Sequence, residues 1–459
     1  MAVVSLRSPL RELAGGSGEL EVEGATVLAV LGRLEEHYPR LMGWVRDEHG
    51  RLRDHVAVFV NGERAALDEG VRPTDRIHVL PAISGGAVQT ATKPQPVAFA
   101  EEVEETELLV GTRKGLFVLR GPRGGPVLQV ARKFSGLAVE YAMKDPRTGT
   151  YFASVTHGQF GPHVYRTDQP LGDWEQCDGP RFPKEAEAAV ERVWVIQPGE
   201  EDGVVWAGAA PAALFRSEDY GRTWALNRAL WEESSRPRWQ PGAGGLCLHS
   251  IATWPGDPTR LAVAISAAGV WLTEDGGRSW RRGVRGLVPR YLPEEAREDA
   301  WDLCVHKIQR APLEPTTIYL QFHGGVYRSD DAGETWVDVG TGRLPSDFGF
   351  PVVADPNDPD RAFVIPLRAD TDRVTPEGRV RVYETRDRGE TWWPLEEGLP
   401  QENAYLTVLR QAFCHDGRQP LGLYFGAESG EVFGSVDGGA TWWTVVDHLP
   451  PVLSVTCSA

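Results

Sequence analysis

One eight-residue segment recurs along the chain: Ser217-Glu218-Asp219-Tyr220-Gly221-Arg222-Thr223-Trp224, then residues 273–280, 329–336, 385–392 and 435–442. A degenerate copy runs from Thr167 through Asp168 to Trp174. The closing tryptophans, Trp174, Trp224, Trp280, Trp336, Trp392 and Trp442, are spaced by 50, 56, 56, 56 and 50 residues. A period of that length, filled with short apolar runs and no long helical pattern, specifies four-stranded blades arranged around an axis. Each repeat divides into an inner strand, two further strands, the recurring turn and an outer strand. Inner strands are expected at 139–143, 192–197, 248–253, 305–309, 351–354 and 406–411. The domain opens with three strands lacking an inner partner (108–111, 115–119, 127–130) and ends in one apolar run, 452–455. Joining the two ends makes a seventh blade and leaves no free edge.

In the turn, the Ser/Thr hydroxyl and the carboxylates of Asp219, Asp275, Asp331, Asp387 and Asp437 can accept amide hydrogen bonds, while glycine takes positive φ and tryptophan packs outward. These residues read as structural. The pattern resembles the Asp-box (BNR) repeat of sialidases and several seven-bladed propellers. Val110-Gly-Thr-Arg-Lys-Gly-Leu-Phe117, Gly242-Ala-Gly-Gly-Leu-Cys-Leu-His249, His323-Gly-Gly-Val-Tyr-Arg-Ser329 and Pro345-Ser-Asp-Phe-Gly-Phe-Pro351 resemble a bacterial family of cytosolic Asp-box propellers that carries a sialidase-like or glycosyl-hydrolase-like label. The F/Y-R-I-P motif usual in sialidases is absent, and seven blades are expected where sialidases have six. Arg113, Arg368, Arg373, Tyr405 and Glu428 are not singled out by spacing for that chemistry.

Residues 1–86 stand outside the repeat. Strands are expected at 3–6, 19–23, 55–60 and 76–80, with a helix over 27–36 whose Val27, Val30, Leu31 and Leu34 share one face. Thr26 is its N-cap, and Asn61-Gly62 is a tight turn. Two strands, a helix and two strands make a β-grasp, or ubiquitin-like, layer. Ser8-Pro-Leu-Arg-Glu-Leu-Ala-Gly-Gly16, Val60-Asn-Gly-Glu63 and Leu80-Pro-Ala-Ile-Ser-Gly-Gly86 resemble the MoaD/ThiS family of sulfur carriers. That resemblance implies an adenylating (activating) enzyme as partner and a thiocarboxylate formed on the last glycine of the Gly85-Gly86 tail. Here Gly86 is followed by Ala87, so its carboxyl is free only after a processing protease cuts there. The alternative is a permanently fused module whose diglycine merely starts a linker. Residues 87–105, polar and then acidic, suit either reading as a flexible connection.

The chain therefore reads as mainly β: a β-grasp domain (1–86), an acidic linker (87–105) and a seven-bladed propeller (106–459) closed by its C-terminal strand. A net charge of −17 argues against a nucleic-acid or anionic-membrane partner, because phosphate needs a basic footprint. Five scattered cysteines without a C-x-x-C read as reduced thiols, and with no apolar leader or span the expected location is the cytoplasm.

Loops entering inner strands and hairpins joining second to third strands share one propeller face. His249 and His306 begin inner strands, and His157 and His323 sit in such hairpins. Arg113, Arg368 and Asp372 belong to the same loop set. The seven form a candidate channel site for an unknown small molecule or protein, and the four histidines are candidate ligands for a divalent metal. The bland reading is that they fix blade register. Cys247 and Cys304 read as packed thiols. Three functions stay open: a carrier precursor fused to a binding propeller, a glycoside hydrolase with a passive β-grasp module, and a non-catalytic scaffold.

Overall fold

In the computed structural model, the residues described are 2–6, 10–16, 19–42, 44–46, 50–52, 56–81, 104–242, 244–298 and 300–458. The chain divides into two compact units, Met1–Ala100 and Glu101–Ala459. The expected sulfur-carrier tail, Gly85 and Gly86, and most of the expected linker lie outside the described residues.

The first unit has strands β1 (Ala2–Leu6), β2 (Glu19–Val22), β3 (Val56–Val60), β4 (Glu63–Arg64) and β5 (Arg76–Pro81). Their order across the sheet is β2-β1-β5-β3-β4, with β1 and β5 parallel. Alternation sets the inner face: Ala2, Val4 and Leu6 are buried, as are Val56, Val58 and Val60. The helix Val27–His37 lays Val27, Val30, Leu31 and Leu34 on that face, and Thr26 accepts a hydrogen bond from the Ala29 amide as N-cap. Asn61 (φ 52°) and Gly62 (φ 90°) make the turn with both φ values positive that a two-residue hairpin prefers. A turn of helix at Leu10–Leu13 and the strand β4 are additions to the expected order.

The second unit is seven four-stranded antiparallel sheets. Blade one is composite. Its inner strand Val452–Ser458 pairs with Glu105–Thr112, which pairs in turn with Gly115–Pro122 and Leu128–Lys133. The inner strands of blades two to seven are Ala138–Lys144, Arg192–Pro198, Leu248–Trp254, Val305–Arg310, Phe348–Ala354 and Phe413–His415. Each contacts the next, and Val452–Ser458 contacts both Phe413–His415 and Ala138–Lys144.

Blade seven departs from the expected strand at 406–411. Leu406 and Val408 are buried and alternate as a strand would. Their backbone bonds go elsewhere: the Thr375 amide donates to Leu406 O, and the Glu428 amide to Thr407 O. The true inner strand starts at Phe413, two residues past the end of the expected one.

The five intact turns share one network. In blade five, Ser329 Oγ donates to Asp331 Oδ1 (2.8 Å) and accepts from the Gly333 amide (2.8 Å). The Thr335 amide and hydroxyl donate to Asp331 Oδ1 (2.8 Å) and Oδ2 (2.6 Å). In blade four, the Ser279 hydroxyl and amide lead a set of bonds that holds the Asp275 carboxyl down at about 2. The tryptophans bolt blades together: Trp336 Nε1 donates to Gly283 O, Trp392 Nε1 to Val339 O and Trp280 Nε1 to Asn227 Oδ1, each in the preceding blade. Trp442 Nε1 instead donates within its own turn, to Gly439 O, and Trp224 Nε1 is buried without a partner. In the degenerate copy the pattern is lost, with Thr167 Oγ donating to backbone carbonyls and Asp168 accepting from Thr150.

Candidate functional site

Inner strand five, Val305–Arg310, alternates between two environments. His306 points between blades and is 3% exposed, whereas Lys307 and Gln309 face the axis. His306 Nδ1 lies 2.5 Å from Gly349 O in blade six. A carbonyl only accepts, so Nδ1 carries the proton, and burial holds the ring neutral, with the charge of Arg410 acting the same way. Nε2 is then a lone-pair donor.

His323 follows the second strand, Ile318–Phe322, and its amide donates to Cys304 O, tying the hairpin to the entry of the inner strand. The Cys304 amide donates to Tyr291 Oη (2.8 Å). The His306 and His323 rings stand 5.3 Å apart, and Tyr291 meets His323 edge-on at 4.6 Å. Asp370, from the long insertion of blade six, places a carboxylate oxygen 3.5 Å from His323 Nε2. Donor atoms of Cys304, His306 and His323 lie within 4.8 Å of one another, the single such group of three metal-capable side chains among the described residues. Burial pushes the Cys304 thiol up to about 11 and raises the Asp302 carboxyl, while the His323 pKa is lowered by burial against the pull of Asp370.

The other candidates lie elsewhere. His249 is fully buried; its Nε2 donates to Val305 O (2.9 Å), holding blade four to blade five, and its Nδ1 meets Ser250 Oγ (3.0 Å) on its own strand. His157 Nδ1 accepts the Gln159 and Phe160 amides of its own hairpin, and the ring stacks on Phe160. Arg113 pairs with Glu428, and Arg368 with Asp372, all in solvent-facing loops. The structure thus joins His306 and His323, adds Cys304 and Asp370, and gives His249 and His157 backbone partners of their own.

Below the mouth, the axis holds a cavity of about 310 Å³ lined by residues including Gln197, Lys307, Gln309, Gln411, Cys414 and His415. Lys307 Nζ donates to Gln411 Oε1, and Gln411 Nε2 donates to His249 O (2.6 Å), so one glutamine from blade seven crosses to blades four and five. The lining contains no Asp or Glu. Burial, with Arg410 nearby, brings the Lys307 amine down to about 7. The sequence carries a signal for this: Lys307 and Gln309 are polar at i, i+2, the spacing that puts both on one face of the strand.

A pH dependence follows. The folded chain releases the Lys307 proton near pH 7, whereas the unfolded chain holds it to about 10. Between those values the unfolded state binds more protons, so this group's penalty is full below the window and fades as pH rises through it. Lys307→Met should therefore stabilise the protein most near pH ~6 and progressively less toward pH ~10. Urea midpoints of both proteins across that range check it; a constant difference would mean an amine with an ordinary pKa.

With the geometry in place, comparison with known proteins bears first on residues 4–86, which match the ThiS family. Small archaeal modifier protein 1 of Haloferax volcanii is 39% identical over 83 residues, which is 18% of this chain and 95% of the relative. The chain belongs, through its N-terminal unit, to the ThiS family. A chain of the Amycolatopsis orientalis BexX/CysO complex is 30% identical, covering 19% of this chain and 100% of its own, with a TM-score of 0.18. The larger unit is similar in fold to the GH74 xyloglucanase of Xanthomonas campestris, at 17% identity and a TM-score of 0.51, over 75% of this chain. This ThiS-family chain spans about half (53%) of that enzyme. Among the described residues no helix is long and apolar enough to cross a membrane.

Proposed function

We propose that residues 1–86 are a sulfur-carrier or protein-modifier precursor, released by cleavage after Gly86, and that the propeller binds a small ligand or partner through the face bearing His306 and His323. The observation that carries this reading is where the likeness stops. The ThiS match runs to Gly86, and the archaeal modifier is used over nearly its whole length, while this chain continues into a propeller. A carrier works through the carboxylate of its last glycine, which an activating enzyme must reach. Fusion blocks that atom, and a protease acting between Gly86 and Ala87 would free it.

A glycoside hydrolase needs two carboxylates flanking the scissile bond. The axial cavity supplies none, so the reading of the propeller as a binding device is favoured over hydrolysis in the channel.

Expression in the native host followed by intact-mass measurement tests the release. Two products are expected: one ending at Gly86, in part heavier by the exchange of oxygen for sulfur, and one beginning at Ala87. Full-length chain alone, under every growth condition, would remove the precursor reading.

A further inference from the structure

We propose that Cys304, His306 and His323 form a binding site for a zinc-class divalent cation at the mouth of the propeller. Two features of the cluster go beyond the closeness of its donors. First, each residue is held in place by a bond that leaves its donor atom free. His306 gives its Nδ1–H to Gly349 O, the outer-shell contact that fixes the tautomer and points Nε2 away. Cys304 and His323 are joined through the His323 amide and Cys304 O, so the hairpin residue cannot drift from the strand residue.

Second, the carboxylate of Asp370 stands 3.5 Å from His323 Nε2. A carboxylate against one nitrogen of an imidazole is the usual support for a ligating histidine, and it leaves the other nitrogen to the cation. Binding would form a sulfur–metal bond and release the thiol proton to solvent.

The donor set is one sulfur and two imidazoles. That mixture suits zinc-class ions over magnesium or calcium, which take oxygen ligands. Three protein ligands leave the fourth position of a tetrahedron for water or an anionic ligand. The positive groups facing the cluster are Arg410 and Arg373, and the negative ones are Asp370 and Asp302. The carboxylates and a Cys304 thiolate offset the two guanidinium groups. The proposal stands apart from carrier release, since the site lies wholly within the propeller.

The test uses the full-length protein, stripped with a chelator and titrated with zinc alone, with metal content read by mass spectrometry. One zinc per chain is expected. Substituting cobalt should give a thiolate-to-cobalt charge-transfer band, a signature that a merely structural cluster lacks. Cys304→Ser should abolish the band. Cys304→Ser and His323→Ala should each weaken zinc binding by more than the roughly 10–100-fold that loss of an outer-shell partner costs, and Asp370→Asn should fall within that range. His157→Ala should leave binding unchanged. If a variant fails to fold, the cobalt spectrum of the unaltered protein decides alone. Absence of the charge-transfer band, or full zinc retention in folded Cys304→Ser, would overturn the site.

Discussion

Ending the chain at residue 451 is expected to abolish the native propeller, leaving that unit without a cooperative tertiary transition. The strand Val452–Ser458 is the inner strand of blade one, and no other segment can replace it. Its removal strips the ladder from Glu105–Thr112 and exposes a long apolar edge. Val452 and Val455 are buried at 0% and 1% exposure, and each contributes roughly 1.5–3 kcal/mol through burial alone. Specific bonds go with them: Thr456 Oγ to Ala142 O in blade two, Ser458 Oγ to Glu107, and the Val455 amide to Gln411 O in blade seven. One strand thus holds three blades. All but Trp44 of the 16 tryptophans lie in the propeller, so near-ultraviolet circular dichroism reports this unit. Its collapse on truncation is the expected result, and Val455→Asp should reproduce it by burying a carboxylate without a partner. A truncated chain with native spectrum and sharp melting would show that the seam is dispensable.

That seam was legible because a surplus of three strands at one end and one at the other leaves a single pairing. The β-grasp order was equally readable, since alternation in Val56–Val60 and the 3.6-residue stripe of Val27–His37 are local signals of burial. Blade seven was misplaced by the same logic. Leu406 and Val408 are buried at strand spacing, but the partners of their backbone come from Thr375 and Glu428, far away in sequence.

The site was half legible. Placement on the strand scheme brought out His306 and His323, because inner-strand starts and second-to-third hairpins meet at one face. It could not separate them from His249, whose Nε2 meets Val305 O and whose Nδ1 meets Ser250 Oγ, or from His157, whose Nδ1 takes two amides of its own hairpin. Cys304 reads as a packed thiol until the His323 amide is seen on its carbonyl. Asp370 lies in the same insertion as Asp372, and nothing in the sequence chooses between them.

Replacing Gly398 by alanine is expected to destabilise the propeller by roughly 3–5 kcal/mol, near the upper end for a point substitution. Two effects combine. Gly398 has φ +86°, a region that costs an L-residue roughly 1–3 kcal/mol. A Cβ there would also lie 2.0 Å from the carbonyl oxygen of Trp442, the tryptophan closing the turn of the next blade. That tryptophan cannot retreat, because its own amide donates to Glu397 O (2.9 Å) and its ring is 5% exposed in the blade seven core. The same close approach recurs two blade boundaries earlier, where Gly286 (φ +93°) meets Trp336 O and the Trp336 amide donates to Arg285 O. At these two boundaries the glycine after the outer strand is the pad on which the next blade's tryptophan rests. Gly417→Ala separates the two effects, since Gly417 has φ +73° and nothing within 4 Å of its missing Cβ. It should lose only the backbone part, about 1 kcal/mol. Equilibrium unfolding in urea measures both, and equal losses for the two variants would show that the blade contact yields without resistance.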